Sequence, residues 1–397
     1  MLCFFSTALA AFAQSPLLTG ANGGTLRIIN TDMSVLEAGE VRKDLSCTVS
    51  PIKPVLGFDL RFHSGYDVAI PLKELAGSEN LLTVLFRVTP EGKDDPMYFV
   101  QKTRVPAIEE EARGDAGLQG SFDVGEGKYH VDWLMRDRSE RVCSGYWDVD
   151  AALPPKDRQV ALAIQPGIVE RTEVEQFKEE PPVERIATEV PLNVKVLVNF
   201  APQNPRSAAM RPMDTAALVS ILRQISRDPH IGKFSLVAFN MQEQRILYRQ
   251  DSANRIDFPA LGEALNTVKL GTVNLKLLEQ KHSDTEFLAE LIRTEIGAQD
   301  KPDALVFAGP KVMLDENIPS EQLREVGDVE YPVFYMNYNL NPQAVPWRDS
   351  ISRAVRFFKG TEYTISRPKD LWVAINEMVA RIVKSKHGRS ISALASQ

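Results

Sequence analysis

Cysteine is scarce, with 3 in 397 residues, which excludes a disulfide-dense mini-scaffold and a multi-cysteine metal cluster. Histidine is nearly as scarce. His63, His130, His230, His282 and His387 include no i,i+3 or i,i+4 pair, so a helical H-x-x-x-H zinc site is missing. Positive charge is not in excess: a net charge of -7 and a pI near 5.5 argue against a generic nucleic-acid or anionic-membrane binder, because neutralising phosphates requires a basic surface. No apolar run reaches the roughly 20 residues a bilayer requires, so no transmembrane segment is expected. The nucleophile turn G-x-S-x-G and the phosphate cradles G-x-x-x-x-G-K-[ST] and G-x-G-x-x-G are absent as well. His282-Ser283-Asp284 places three suggestive names in a row, but adjacent side chains at a helix start point apart. A glycosidase-type carboxylate pair stays open, since 53 acidic residues allow many pairings that sequence cannot measure.

What is present is globular. Hydrophobic residues at 44% and charged residues at 25% are ordinary values, and the length suits two domains with a linker. Residues 1–13 read as a signal peptide: Leu2 to Ala13 is an apolar run of the right length and Ala11-Phe12-Ala13 supplies a small-x-small cleavage pattern, although no Lys or Arg precedes it. Export is therefore expected, to a periplasmic or secreted location. With Cys3 inside that segment, Cys47 and Cys143 remain as an even pair, expected to form a disulfide in an oxidising compartment. Two buried, reduced thiols are the alternative.

Over residues 25–150 the apolar period is two. Phe58, Leu60 and Phe62, then Leu82, Val84 and Phe86, then Tyr129, Val131 and Trp133 alternate with other residues, and turns such as Ser64-Gly65, Pro90-Glu91-Gly92 and Gly125-Glu126-Gly127 separate the runs. This pattern predicts an all-β sandwich of immunoglobulin-like style. Within it, Arg113-Gly114-Asp115 follows Glu109 to Glu111 and reads as a solvated acidic loop. Residues 151–191, punctuated by Pro154-Pro155, Pro166-Gly167 and Pro181-Pro182 and acidic in their second half, read as a Pro/Glu-rich linker.

From residue 192 strands and helices alternate. Leu192 to Asn199 carries Val194, Val196 and Val198 and ends on polar residues, the pattern of a buried strand delivering a loop to a ligand-binding edge. Helices are expected near Asp214, from Asp257, from the capping box Ser283 to Glu286, over Ile351 to Phe358 and from Pro368. Short strands are expected at Ala304 to Ala308 and Tyr331 to Tyr338. Residues 384–397 read as a flexible basic tail.

That order of elements over 192–383 resembles the von Willebrand factor type A domain, and the chain as a whole resembles the bacterial VWFA-related proteins. The resemblance implies a C-terminal three-layer, Rossmann-like α/β domain. It also implies a metal-ion-dependent adhesion site of the form D-x-S-x-S, completed by a Thr and an Asp from later loops. Here the first motif falls on Asn199-Phe200-Ala201-Pro202-Gln203, so Asn199 stands for the carboxylate and Ala201 and Gln203 for the hydroxyls. Thr272 matches, and the last position falls at Gly309, where no Asp is found. A hard dication requires anionic oxygens to replace its hydration shell, so the rim formed by Asn199, Ala201, Gln203, Thr272 and Gly309 is expected to be degenerate. Asp214 is the nearest carboxylate that could rescue a weak site, although it also reads as a helix N-cap.

These readings lead to an exported, non-catalytic protein-binding or scaffolding protein that uses its rim without metal or cofactor. Tyr335, Tyr338 and Trp347 are candidate aromatic anchors. Three alternatives stand beside it: a hydrolase with carboxylates at the domain junction, a weak divalent-metal-dependent adhesion module, and a purely structural spacer.

Overall fold

Alternating apolar positions make the first half of the chain a stack of strands. In the computed structural model, the described residues are 15–16, 30–173, 175–186, 191–204, 207, 209–268, 283–298, 301–314 and 316–395. The expected signal peptide over 1–13 and the expected rim residue Thr272 lie outside them. The chain divides into two units, Met1–Val174 and Glu175–Gln397.

In the first unit, β1 (Ser15–Pro16), β4 (Asn80–Pro90), β5 (Met97–Val105), β7 (Gly127–Arg136) and β8 (Val142–Ala151) form one sheet in the order β1-β5-β4-β7-β8. A second sheet has the order β2-β3-β6-β9, from β2 (Thr48–Leu56), β3 (Phe62–Pro71), β6 (Asp115–Val124) and β9 (Val169–Glu170). Every pairing in both is antiparallel. A helix, α1 (Asn30–Ala38), lies against β7. Inward residues from both sheets form an aromatic core. Tyr66 meets Phe86 and Trp133 edge-on at 5.4 Å, and Phe86 stacks on Phe99 at 4.8 Å. Such pairs add about 0.5–1.5 kcal/mol each beyond their burial. Cys47, just before β2, is bonded to Cys143 on β8 with Cα atoms 6.2 Å apart, which joins the two sheets covalently as the cysteine count led one to expect.

The second unit is built on one six-stranded mixed sheet in the order β12-β11-β10-β13-β14-β15. Its strands are β10 (Leu192–Asn199), β11 (Ile231–Asn240), β12 (Arg245–Ala253), β13 (Ala304–Pro310), β14 (Val333–Tyr338) and β15 (Thr361–Ile365). All pairs are parallel except β11 with β12. The helices are α2 (Pro212–Arg227), α3 (Phe258–Leu265), α4 (Ser283–Ile296), α5 (Ser320–Arg324), α6 (Ser350–Phe357) and α7 (Pro368–Ala395). Strands β13 and β14 are buried along their whole length, as parallel strands covered on both faces must be. On one face Leu197, Val237, Phe307 and Tyr335 share a core with Leu288, Leu291 and Ile292 of α4 and with Ile351 and Val355 of α6.

The expected fold class requires correction. The expectation was one immunoglobulin-style sandwich followed by a von Willebrand factor A-like α/β domain. The chain is instead predominantly β, carried by three sheets, two antiparallel and one mixed. Apolar periodicity reports strands and helices one at a time; it does not fix strand direction or sheet membership, which define a fold family.

Two further segments differ from their sequence reading. The boundary between the units falls inside the expected linker 151–191. Val160, Ile164 and Val169 are buried in the first unit. In the second, Glu180 pairs with Arg223 and Arg227 of α2, and Arg185 donates to the carbonyls of Ser226 and Asp228. Charges that looked self-repelling in sequence are here neutralised by partners far along the chain. The expected flexible tail from 384 is the last part of α7, which continues to Ala395.

Candidate functional site

Parallel pairing of β10, β13 and β14 places their carboxyl ends side by side, where ligand sites of such sheets lie. The rim residues assembled there are mostly committed to the protein itself. Asn199 is buried, and its Oδ1 accepts the Met241 N–H at 3.1 Å. Gly309 lies against it: a β-carbon at 309 would stand 2.8 Å from Asn199 Cβ, and the backbone has φ +144°. Both facts call for glycine. Ala201 is buried. Gln203 is half-buried, with its Nε2 enclosed and without a hydrogen-bond partner of normal geometry. The structure therefore brings Asn199, Ala201, Gln203 and Gly309 to one edge.

Asp214 is not the N-cap of α2. Arg211 holds that position, and Asp214 sits in the first turn, where a negative charge meets the positive end of the helix dipole. The side chain is buried, and its Oδ1 accepts the Tyr338 hydroxyl at 3.1 Å. Burial, then the Asp214 charge, pushes the Tyr338 phenol above its ordinary range, so Tyr338 remains a neutral donor. Of the described residues expected at the rim, only neutral amides, a methyl group and a glycine accompany this engaged carboxylate, a poor exchange for the hydration shell of Mg²⁺. Adding Mg²⁺ during thermal unfolding is expected to leave the midpoint of the second unit unmoved; a rise of several degrees in that transition would reveal a bound ion by linkage.

Sequence reasoning missed two polar residues that shape this edge. Asn240, at the end of β11, donates from Nδ2 to the Phe200 carbonyl at 2.6 Å and accepts the Glu243 N–H at 2.8 Å. Its signal was present, since an Asn closing an apolar run is a common turn former. Asp349 caps α6: Oδ1 accepts Ser352 N–H and Oγ–H, while Oδ2 accepts Val312 N–H at 2.7 Å and the Tyr335 hydroxyl at 3.1 Å. Burial raises its carboxyl pKa even against these donors.

The candidate anchors separate cleanly. Tyr335 and Tyr338 are core residues and present no ring to solvent, whereas Trp347 is 65% exposed. Trp347 belongs to the connection between β14 and α6, whose backbone is fastened by Lys311. That ammonium donates to the carbonyls of Val345 and Trp347, each at 2.6 Å. Met313, after β13, is 51% exposed, and Met213, at the start of α2, is 58% exposed. All three lie on segments that leave the same sheet edge or begin the helix that follows it.

No family model matches the chain, and no curated protein matches it. Among solved structures, PilB minor pilin from Streptococcus sanguinis is similar at 9% identity, covering 78% of this chain and 88% of that one, with a TM-score of 0.30. A Bacteroides uniformis beta-glucuronidase is similar at 9% identity, covering 76% and 39%, with a TM-score of 0.19. A Paenibacillus cycloisomaltooligosaccharide glucanotransferase is similar at 10% identity, covering 75% and 45%, with a TM-score of 0.20. At such scores their functions do not transfer to this chain.

Proposed function

We propose that the second unit is a non-catalytic protein-binding module that takes its partner at the carboxyl-end rim, without a metal, with Trp347 as the anchor. The observation that carries this reading is the combination at residue 347 of an exposed indole and a main chain held by Lys311. Tryptophan is seldom so exposed without use and is enriched among residues that dominate binding energy. A fixed backbone lowers the ordering cost of docking. Asn199 and Gly309 serve the reading from below, as packing that shapes the rim. The partner is a protein rather than a nucleic acid, given the acidic balance of the chain.

Export belongs to the same proposal. The Cys47–Cys143 bond is the kind of crosslink that persists in oxidising compartments, and among the described residues no helix is long and apolar enough to cross a membrane. A periplasmic or secreted protein fits both facts.

A photo-crosslinking residue at position 347, in protein made by its own host, tests the reading. One discrete covalent adduct is expected there, and none with the same probe at Val373 on α7, which is also partly exposed. Adducts at neither position, or equally at both, would remove the rim as the interface.

A further inference from the structure

A second constellation lies in the first unit. The chain turns sharply before β3: Leu60 N–H donates to the Gly57 carbonyl at 3.0 Å, Gly57 N–H to the Arg61 carbonyl at 2.9 Å, and Leu60 adopts φ +63°. This turn brings Asp59 back over His63, so that Nε2 lies 3.0 Å from Asp59 Oδ1. On the other side of the ring, Nδ1 lies 2.7 Å from Oδ1 of Asp123, the residue paired with His63 across β3 and β6. Thr172 donates to the same Asp123 oxygen at 2.6 Å. Ligand atoms of Asp59, His63 and Asp123 all fall within 4.8 Å of one another.

We propose that this is a divalent transition-metal site in which His63 Nε2 and the Asp59 carboxylate are direct ligands and buried Asp123 holds the ring by accepting Nδ1–H. A carboxylate behind a ligating histidine fixes the tautomer and raises ligand basicity, the usual support for imidazole–metal bonds.

One observation beyond the cluster itself points to an ion. Asp123 is 1% exposed, yet its Oδ2 has no hydrogen-bond partner. The Arg61 guanidinium, engaged with Glu170 at 2.8 Å, stands 3.7 Å away. A buried carboxylate oxygen left without a hydrogen bond is costly, and a cation held by the neighbouring imidazole would add charge compensation.

The geometry also selects the kind of ion. Two ligand atoms 3.0 Å apart, each about 2.1 Å from one metal, subtend about 90° there, an octahedral edge. Imidazole with carboxylate and water suits six-coordinate borderline cations such as Ni²⁺, with water completing the shell. Binding involves no redox change: the ion sheds water, and the proton on Nε2 leaves to solvent. The ion must displace the contact that joins this nitrogen to Asp59, so modest affinity follows.

Calorimetric titration of the chelator-treated full chain with Ni²⁺ tests the assignment. His130, which meets Asp148 at 2.7 Å and Asp132 at 3.4 Å, supplies the control. One site per chain is expected in the wild type and in His130→Gln, with no binding in His63→Gln. Asp123→Asn is expected to bind 10–100-fold more weakly, the usual effect of removing a residue that orients a ligand. Circular dichroism establishes that His63→Gln is folded. Asp59→Asn, a change in a partly exposed turn, is the second variant and is expected to lose tenfold or more. No binding to the wild type up to millimolar Ni²⁺, unchanged affinity in His63→Gln or Asp59→Asn, or loss confined to His130→Gln would each overturn the site.

Discussion

Glu295→Ala is expected to destabilise the second unit by about 3–5 kcal/mol, the usual cost of removing one partner from a buried ion pair. Glu295 is almost fully buried on α4. Its carboxylate lies 3.5 Å from the ammonium of Lys195, itself 3% exposed on the central strand β10, and it also receives the Arg249 guanidinium from the edge strand β12. Three elements thus converge on one carboxylate beneath the sheet. Alanine would take the Glu295 carboxylate away from an ammonium held in a low-dielectric interior, and desolvating such a charge costs far more than an exposed pair contributes. Denaturant unfolding of the full chain measures the loss. In a thermal scan it corresponds to a fall of roughly 6–20 °C for a unit of this size. The double change Lys195→Met with Glu295→Leu removes both charges and is expected to recover most of the stability, because a well-packed apolar pair of similar volume is often as stable as the ions it replaces. A loss below about 1 kcal/mol in Glu295→Ala would mean that the lysine is solvated or neutral, and the account of this core would fail.

Breaking the Cys47–Cys143 bond is expected to have an effect of similar size confined to the other unit. The bond closes a loop with a sequence separation of 96, for which the chain-entropy model gives about 4–5 kcal/mol. The bond also joins β8 of one sheet to the chain entering β2 of the other. Cys47→Ser, Cys143→Ser and reduction of the wild type should therefore shift the same unfolding transition by similar amounts. The second unit, which contains no cysteine, should melt unchanged. Equal midpoints with and without reductant would show that the crosslink adds nothing to the native balance.

How far the sequence carried can be judged residue by residue. Leu82, Val84 and Phe86 and then Tyr129, Val131 and Trp133 were legible as strand faces, and all six are buried in β4 and β7. Phe58 and Leu60 shared that alternation but belong to the turn before β3, with Leu60 at positive φ. Periodicity over three positions cannot separate a strand from a tight turn whose side chains also alternate. The cysteine pair was legible because only two cysteines remained to be paired. The rim was legible as a place and illegible as a chemistry. Asn199 stood in the place of a metal-site carboxylate, yet its oxygen accepts the Met241 N–H. Asp214 looked like a cap, yet it receives Tyr338 from a strand 124 residues away.

The same limit explains the anchors and the cluster of Asp59, His63 and Asp123. Tyr335 and Tyr338 lie in a strand buried on both faces, where alternation gives no outward direction, so only the packing of α6 and the charge of Asp214 assigned them to the interior. His63 and Asp123 stand 60 residues apart in sequence and became neighbours through the pairing of β3 with β6.

Local chemistry alone indicated most of the strands and helices and which two sulfurs could meet, because each depends on nearby residues or on totals. Strand direction, sheet membership, the neutralisation of Glu180 and Glu295, and the meeting of Asp59, His63 and Asp123 were decided only by the folded chain. Each requires contacts between residues distant in sequence, and their pairing is set by the free energy of the whole packing rather than by any short stretch.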